Sequence, residues 1–129
     1  MDIQQQCLQL AEADDNIVAL WLYGSRAKGT ESEHSDYDLA VAFDSFIEDE
    51  LERRLRPETL ALEWQQELGL AEFTLSIADI DHVPLPLAYS IITTGKLLYS
   101  SNGLRVARTE NKITSMWEVD YQYHRKHYG

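Results

Sequence analysis

LYGSRAKGTESEHSDYDLAVAF, residues 22–43, runs from apolar to small and basic, turns acidic, and becomes apolar again around Asp36 and Asp38. Residues 17–23, IVALWLY, form a short continuous apolar run with β-branched and aromatic members, which predicts a strand covered on both faces. A second strand is expected at 37–43, YDLAVAF. If the two are antiparallel neighbours, the end of the first and the start of the second share one end of the sheet, so Gly24 and Ser25 sit beside Asp36 and Asp38. Ten residues separate Ser25 from Asp36, enough for a short helix and a return loop.

These residue types suit one another chemically. Gly24 lets a ligand approach the backbone with no Cβ in the way. Ser25 offers a hydroxyl and an N–H at the start of the short helix, where the dipole and unpaired donors favour phosphate. Asp36 and Asp38 are two apart on a strand, so both side chains leave one face while Tyr37 leaves the other. Converging carboxylates repel, and a divalent cation neutralises them; hard oxygen ligands with positions left for phosphate suit Mg2+. Phosphate donors beside such a pair point to a nucleoside triphosphate. Arg26 and Lys28 could steer it, although exposed cations in a short helix also occur without any ligand. A plain helix cap is the lesser alternative for Gly24 and Ser25, because capping and phosphate binding use the same groups.

The composition bounds the setting. A chain of 129 residues is expected to be one domain, 1–129. Its 44% hydrophobic and 26% charged residues are those of an ordinary soluble protein. With 11 basic against 22 acidic side chains the formal charge is −11, which repels a phosphate backbone and makes direct nucleic-acid binding unexpected, while a basic protein partner would be attracted. One cysteine, Cys7, excludes an internal disulfide. There is no signal-peptide pattern and no run of membrane-spanning length, so a cytoplasmic protein with no membrane contact is expected.

Further elements follow from periodicity and punctuation. Ile3, Cys7, Leu10 and Ala11 recur at helical spacing, predicting a first helix over about 2–13. Ser45 with Glu48 resembles a capping box, opening a helix to Leu55. Pro57 then interrupts and opens another, with Leu60, Ala61, Trp64 and Leu68 on one face and Gly69 at its end. Residues 71–78 read as a third strand, and a helix after Pro84 and Pro86 ends at Gly95. KLLY, 96–99, is a brief strand, and an amphipathic helix starts near Asn102. The order is α/β, with a mixed central sheet flanked by helices.

Gly24-Ser25, ten residues, then Asp36-Tyr37-Asp38 is the GSx10DxD pattern of the polymerase-β-type nucleotidyltransferases, and the chain's size resembles the minimal nucleotidyltransferase (MNT) branch. Residues 80–100, IDHVPLPLAYSIITTGKLLYS, resemble the family's strand exit, helix and closing strand, so the similarity covers nearly the whole chain. The resemblance implies that fold, with Asp36 and Asp38 as catalytic metal ligands and Gly24, Ser25, Arg26 and Lys28 at the nucleotide. It further implies an antitoxin that transfers AMP from Mg-ATP to a tyrosine hydroxyl of a HEPN-type ribonuclease toxin, in a hetero-oligomer. A binding module that neutralises its partner by contact, and an enzyme modifying a small molecule such as an aminoglycoside, are the alternatives.

The family usually adds a third carboxylate on the next core strand. Counting back from Pro84 places Ser76 there. Glu72 shares its face by period two but lies four residues earlier, roughly 13 Å along a strand. Asp79 is an odd number of residues away and faces the other side. His34, in the spacer, reads as a solvated loop residue. His124 and His127 have chelating spacing but also suit a solvated tail. Tyr121, Tyr123 and Tyr128 make that tail a candidate for partner contact. Trp64 and Trp117 read as helix core.

Overall fold

A computed structural model describes residues 2–32 and 35–128, with the side chains of residues 127 and 128 outside that description. The expectations for His34, His127 and Tyr128 therefore fall outside the described residues. The elements are α1 Ile3–Ala13, β1 Ile17–Tyr23, α2 Ser25–Lys28, β2 Tyr37–Phe43, α3 Glu50–Leu68, β3 Leu75–Asp79, α4 Leu85–Thr94, β4 Lys96–Ser100 and α5 Gly103–Tyr128. The four strands form one mixed sheet in the order β3-β2-β1-β4. β1 is antiparallel to β2 and β4, while β2 and β3 are parallel.

Period-two alternation sorts the side chains of β2 onto two faces. Leu39, Val41 and Phe43 pack with Cys7 and Ala11 of α1 and with Leu60, Ala61 and Trp64 of α3. Ala40 and Ala42 face the other way, against Ala88 and Ile91 of α4 and Val106 and Ile113 of α5. Strands covered on both sides explain why β1 reads as an unbroken apolar run, buried from Ile17 to Leu22. Trp64 is core, as its periodicity implies, and Trp117 stacks on Tyr89 with ring centroids 4.5 Å apart.

Two expected boundaries are corrected. Pro57 does not interrupt a helix: α3 is continuous from Glu50 to Leu68 with Pro57 inside it. Proline removes the donor that would bond to Arg53 O, a cost of about 3 kcal/mol in a helix interior. Here its ring joins the buried stripe Pro57, Leu60, Ala61, Trp64 and Gln65, at i, i+3, i+4, i+7 and i+8, so burial against the sheet offsets the lost bond. Nor do Ser45 and Glu48 cap this helix. Asp49 does, accepting a hydrogen bond from Glu52 N–H (2.9 Å), while Ser45 receives two from the Arg56 guanidinium, at 3.0 Å on Oγ and 2.9 Å on its carbonyl.

The third strand is also shorter than expected. It begins at Leu75, because residues 71–74 form a turn in which Phe73 adopts φ 65°. A buried side chain that periodicity does not single out ties this turn to α3. Gln65, 5% exposed, accepts a hydrogen bond from Leu75 N–H through Oε1 at 2.9 Å. A strand-edge donor that β2 cannot reach is thereby satisfied. Replacing Gln65 with Leu keeps the apolar packing and strands that donor, so chemical denaturation should show a loss of about 1–3 kcal/mol.

Candidate active site

The antiparallel register places Tyr23 opposite Asp38, so the residues after β1 and before β2 meet at one end of the sheet. Gly24 turns the chain there with φ 72° and ψ −153°, a conformation that suits glycine. A Cβ on Gly24 would overlap the Asp38 carboxylate. That carboxylate therefore lies directly over the glycine backbone, and the site closes to this distance only because the side chain is absent.

Ser25 begins α2, where Gly24 O accepts from Ala27 and Lys28 N–H, each at 3.2 Å. Of this turn, the Ser25 and Arg26 N–H groups have no helical acceptor, and they lie one and two residues after Gly24, against which the Asp38 carboxylate packs. Arg26 is a structural brace. Its Nε and Nη2 donate to Ser35 O at 3.1 and 2.7 Å, and its guanidinium lies 3.9 Å from the centre of the Tyr37 ring. These contacts fasten the end of the spacer to the start of β2 and so help hold Asp36 and Asp38 in place. Lys28 is exposed in the last turn.

Asp38 leaves the same face as Ala40 and Ala42, and Asp36, one residue before β2, stands close enough for its charge to act on Asp38. Asp36 is exposed and Asp38 half-buried. Burial pushes the Asp38 carboxyl above its ordinary value, and the Asp36 charge pushes it further. Tyr23 responds in turn: burial raises its hydroxyl, and the Asp38 charge adds to that. Sequence reasoning treats Tyr23 as strand alone; its position immediately before Gly24 is the signal that it borders the site.

Parallel pairing sets Ser76 directly beside Asp38 and Asp79 beside Val41. Ser76 is thus the β3 residue on the carboxylate face, and it is exposed. Glu72 lies in the turn before the strand. Asp79 is at the far end of β3, buried, with Arg56 Nη2 and His82 Nε2 at 3.9 and 3.8 Å from Oδ2. Burial raises its carboxyl, and it has no route to Asp38. Among the described residues no three His, Cys, Asp or Glu side chains converge as a metal site. The protein's donor set here is the two carboxylates of Asp36 and Asp38. Their hard oxygens, and the repulsion that raises Asp38, fit a divalent cation whose other positions are filled by phosphate oxygens and water. His124 is exposed beside Asp120, and Tyr121 and Tyr123 are exposed on α5. Among the described residues no helix is long and apolar enough to cross a membrane.

Residues 5–103 match the family described as polymerase beta, nucleotidyltransferase. No curated protein matches the sequence. Solved structures do resemble the fold. A toxin–antitoxin structure with AMP-PNP is 19% identical, with a TM-score of 0.75, over 97% of this chain and 94% of that one. A tri-AMPylated Shewanella oneidensis HEPN toxin in complex with MNT antitoxin provides a chain 17% identical, with a TM-score of 0.67, over 95% and 90%. A third, from a toxin–antitoxin MntA-HepT structure, is 17% identical, with a TM-score of 0.67, over 95% and 91%.

The raised Asp38 carboxyl has a consequence for stability. A carboxyl whose folded pKa exceeds its unfolded one contributes stability at low pH that is lost as pH rises through the folded value. Ionised Asp38 therefore burdens the metal-free fold at neutral pH. Asp38→Asn should melt at a higher temperature than wild type at pH 7 in chelator, and thermal melts should show the gap closing as pH falls toward the ordinary aspartate value of 3.8. Ser76→Asp adds a hard oxygen ligand beside Asp38, and calorimetric titration should show tighter Mg2+ binding than wild type.

Proposed function

Since the chain belongs to the polymerase beta nucleotidyltransferase family, we propose that it is an antitoxin of the MNT type, which transfers AMP from ATP to a tyrosine hydroxyl of a HEPN-type toxin and thereby neutralises it. The observation that carries this reading is the Asp38 carboxylate seated over the Gly24 backbone, with Asp36 close by and the start of α2 alongside. Such a corner offers backbone donors for phosphate and paired carboxylates for a cation within one turn of chain.

Asp36 and Asp38 would hold Mg2+, which when bound neutralises phosphate charge and stabilises the attacking and leaving oxygens. The chain's own residues do the rest. Gly24 admits the phosphates to the backbone, and the Ser25 and Arg26 N–H groups at the start of α2 donate to their oxygens. Arg26 fixes the spacer through Ser35 and Tyr37, holding the carboxylates on a rigid strand. In the transfer the tyrosine oxygen forms a bond to the α-phosphorus of ATP. The bond from that phosphorus to the oxygen bridging the β-phosphate breaks, pyrophosphate leaves with the electron pair, and the phenolic proton passes to solvent. No covalent enzyme intermediate is needed. The AMP-PNP and AMPylated-toxin structures of similar fold support a nucleotide at such a site.

A second reading is neutralisation by binding alone. Ser76 beside Asp38, where a further carboxylate would complete a ligand set, favours it. Asp36→Asn with Asp38→Asn separates the two. The double variant keeps the shape of the site and loses both charges, so it should fold and still bind the partner, taken as the product of the adjacent gene. Transfer of label from ATP should fall by more than about 100-fold, since even groups that only support metal ligands are worth 10–100-fold. Protection of cells against the toxin should be lost with it. Full protection by the folded double variant would establish contact as the mechanism.

The formal charge of −11 supports a basic partner surface. Stopped-flow association with the partner should accelerate as salt is lowered, because opposite charges steer encounter over about 10 Å at 0.1 M ionic strength. A rate indifferent to salt would remove electrostatic steering from the account.

A further inference from the structure

β3 is the outermost strand of the sheet, and among the described residues no strand pairs with its outer edge. Its pairing with β2 shows which backbone groups face outward. Tyr37 N–H donates to Thr74 O and Ile80 N–H to Val41 O, so the even-numbered residues of this segment bond to β2. In a parallel ladder the alternate residues turn their N–H and C=O the other way. Leu75 confirms the phase, since its N–H points outward and is taken by Gln65. Asp79 O is taken by the N–H groups of His82 and Val83. Between these two closures the outward groups of Ile77 remain as a short open edge.

That edge borders a groove of about 520 Å³ between α3 and β3. Leu62 and Phe73 stand exposed on it, Leu75 and Ile77 form its floor, and Glu58 and Glu72 supply negative charge. Phe73 is the second sign that the groove serves a partner. It is a bulky residue at φ 65° and 80% exposed, so it carries the strain of a left-handed backbone while most of its ring stays in water.

We infer that the partner's acceptor segment docks here as an added strand on β3, with apolar side chains in the groove, basic residues facing Glu58 and Glu72, and the acceptor tyrosine on the carboxylate face. This inference rests on the adenylyl-transfer reading for the tyrosine and on the edge itself for the docking. Main-chain bonds to Ile77 supply affinity, and alternate side chains fall on opposite faces of the extended sheet. One set enters the groove under α3. The other lies on the face of Ser76 and Asp38. Two strand spacings separate the added strand from β2, roughly 10 Å. A tyrosine oxygen stands roughly 6 Å from its Cα and a serine oxygen about 2.5 Å, by standard bond lengths. With roughly 3.5 Å more from an aspartate Cα to its carboxylate oxygens, a phenol leaning over the short Ser76 side chain spans that gap, and a serine hydroxyl does not.

The test measures amide hydrogen exchange at Ile77 in the free chain and in its complex with the partner, and in parallel the transfer of label from ATP. Docking on β3 predicts slower exchange at Ile77 in the complex. Leu62→Glu with Phe73→Glu changes exposed groove residues away from the metal site, so Mg-ATP affinity should stay at the wild-type value. kcat/KM for the partner should fall about tenfold or more, the scale of losing interface anchors. Replacing the acceptor tyrosine of the partner with serine should abolish labelling without weakening the complex. Slowed exchange with no transfer by the wild type keeps the docking site and overturns the transferase reading. Transfer with Ile77 exchange unchanged, or with the groove variant fully active, overturns the docking site. Unchanged exchange with no transfer overturns both.

Discussion

Everything at the functional end of this molecule depends on the antiparallel pairing of β1 with β2, which brings the Asp38 carboxylate down onto the Gly24 backbone. The contact sets opposing demands. The two strands must stay apolar to be buried on both faces, yet their shared end must carry two like charges on rigid backbone. The conflict is resolved by position: β2 is half-buried at Tyr37 and Asp38 and fully buried from Leu39 onward, so the carboxylates occupy the last place on the strand where water or a cation can reach them. The raised Asp38 carboxyl is the residual cost of that placement, and it is a cost that a bound cation removes.

The remaining elements hold this corner in place. Arg26 ties the spacer to β2, and Tyr37 N–H ties β2 to the residue before β3. Gln65 fixes the start of β3 against α3, so Ser76 arrives beside Asp38 in a defined register. At the opposite end of the sheet, Arg56, Arg105, Arg108 and Lys112 gather with Asp44, Asp79 and Asp81 around a second cleft.

The position of Ser76 also gives the two readings of function a common physical basis. A short polar side chain beside Asp38 supplies one ligand fewer, and it leaves open the lane from the sheet edge to the carboxylates. The strained and exposed Phe73, the negative groove and the open edge at Ile77 adjoin the outer edge of β3, where that lane begins.

Much of this was legible in the sequence because it is local or periodic. The apolar runs determined β1 and β2, the two-residue spacing put Asp36 near Asp38, and the ten-residue spacer made their meeting with Gly24 and Ser25 feasible. Tertiary structure decided what no local rule controls. Pro57 remains helical because its ring falls on the buried stripe of α3, so packing outweighs a lost hydrogen bond. The helix takes Asp49 as its cap, while Ser45 is bound by Arg56, eleven residues away. The third strand starts at Leu75 because a buried glutamine on α3 takes its donor, a pairing with no periodic signature. The partner of Asp38 on β3 depends on parallel register between strands separated by a whole helix. Counting residues nominates Ser76, and only the hydrogen-bonded ladder sets it there.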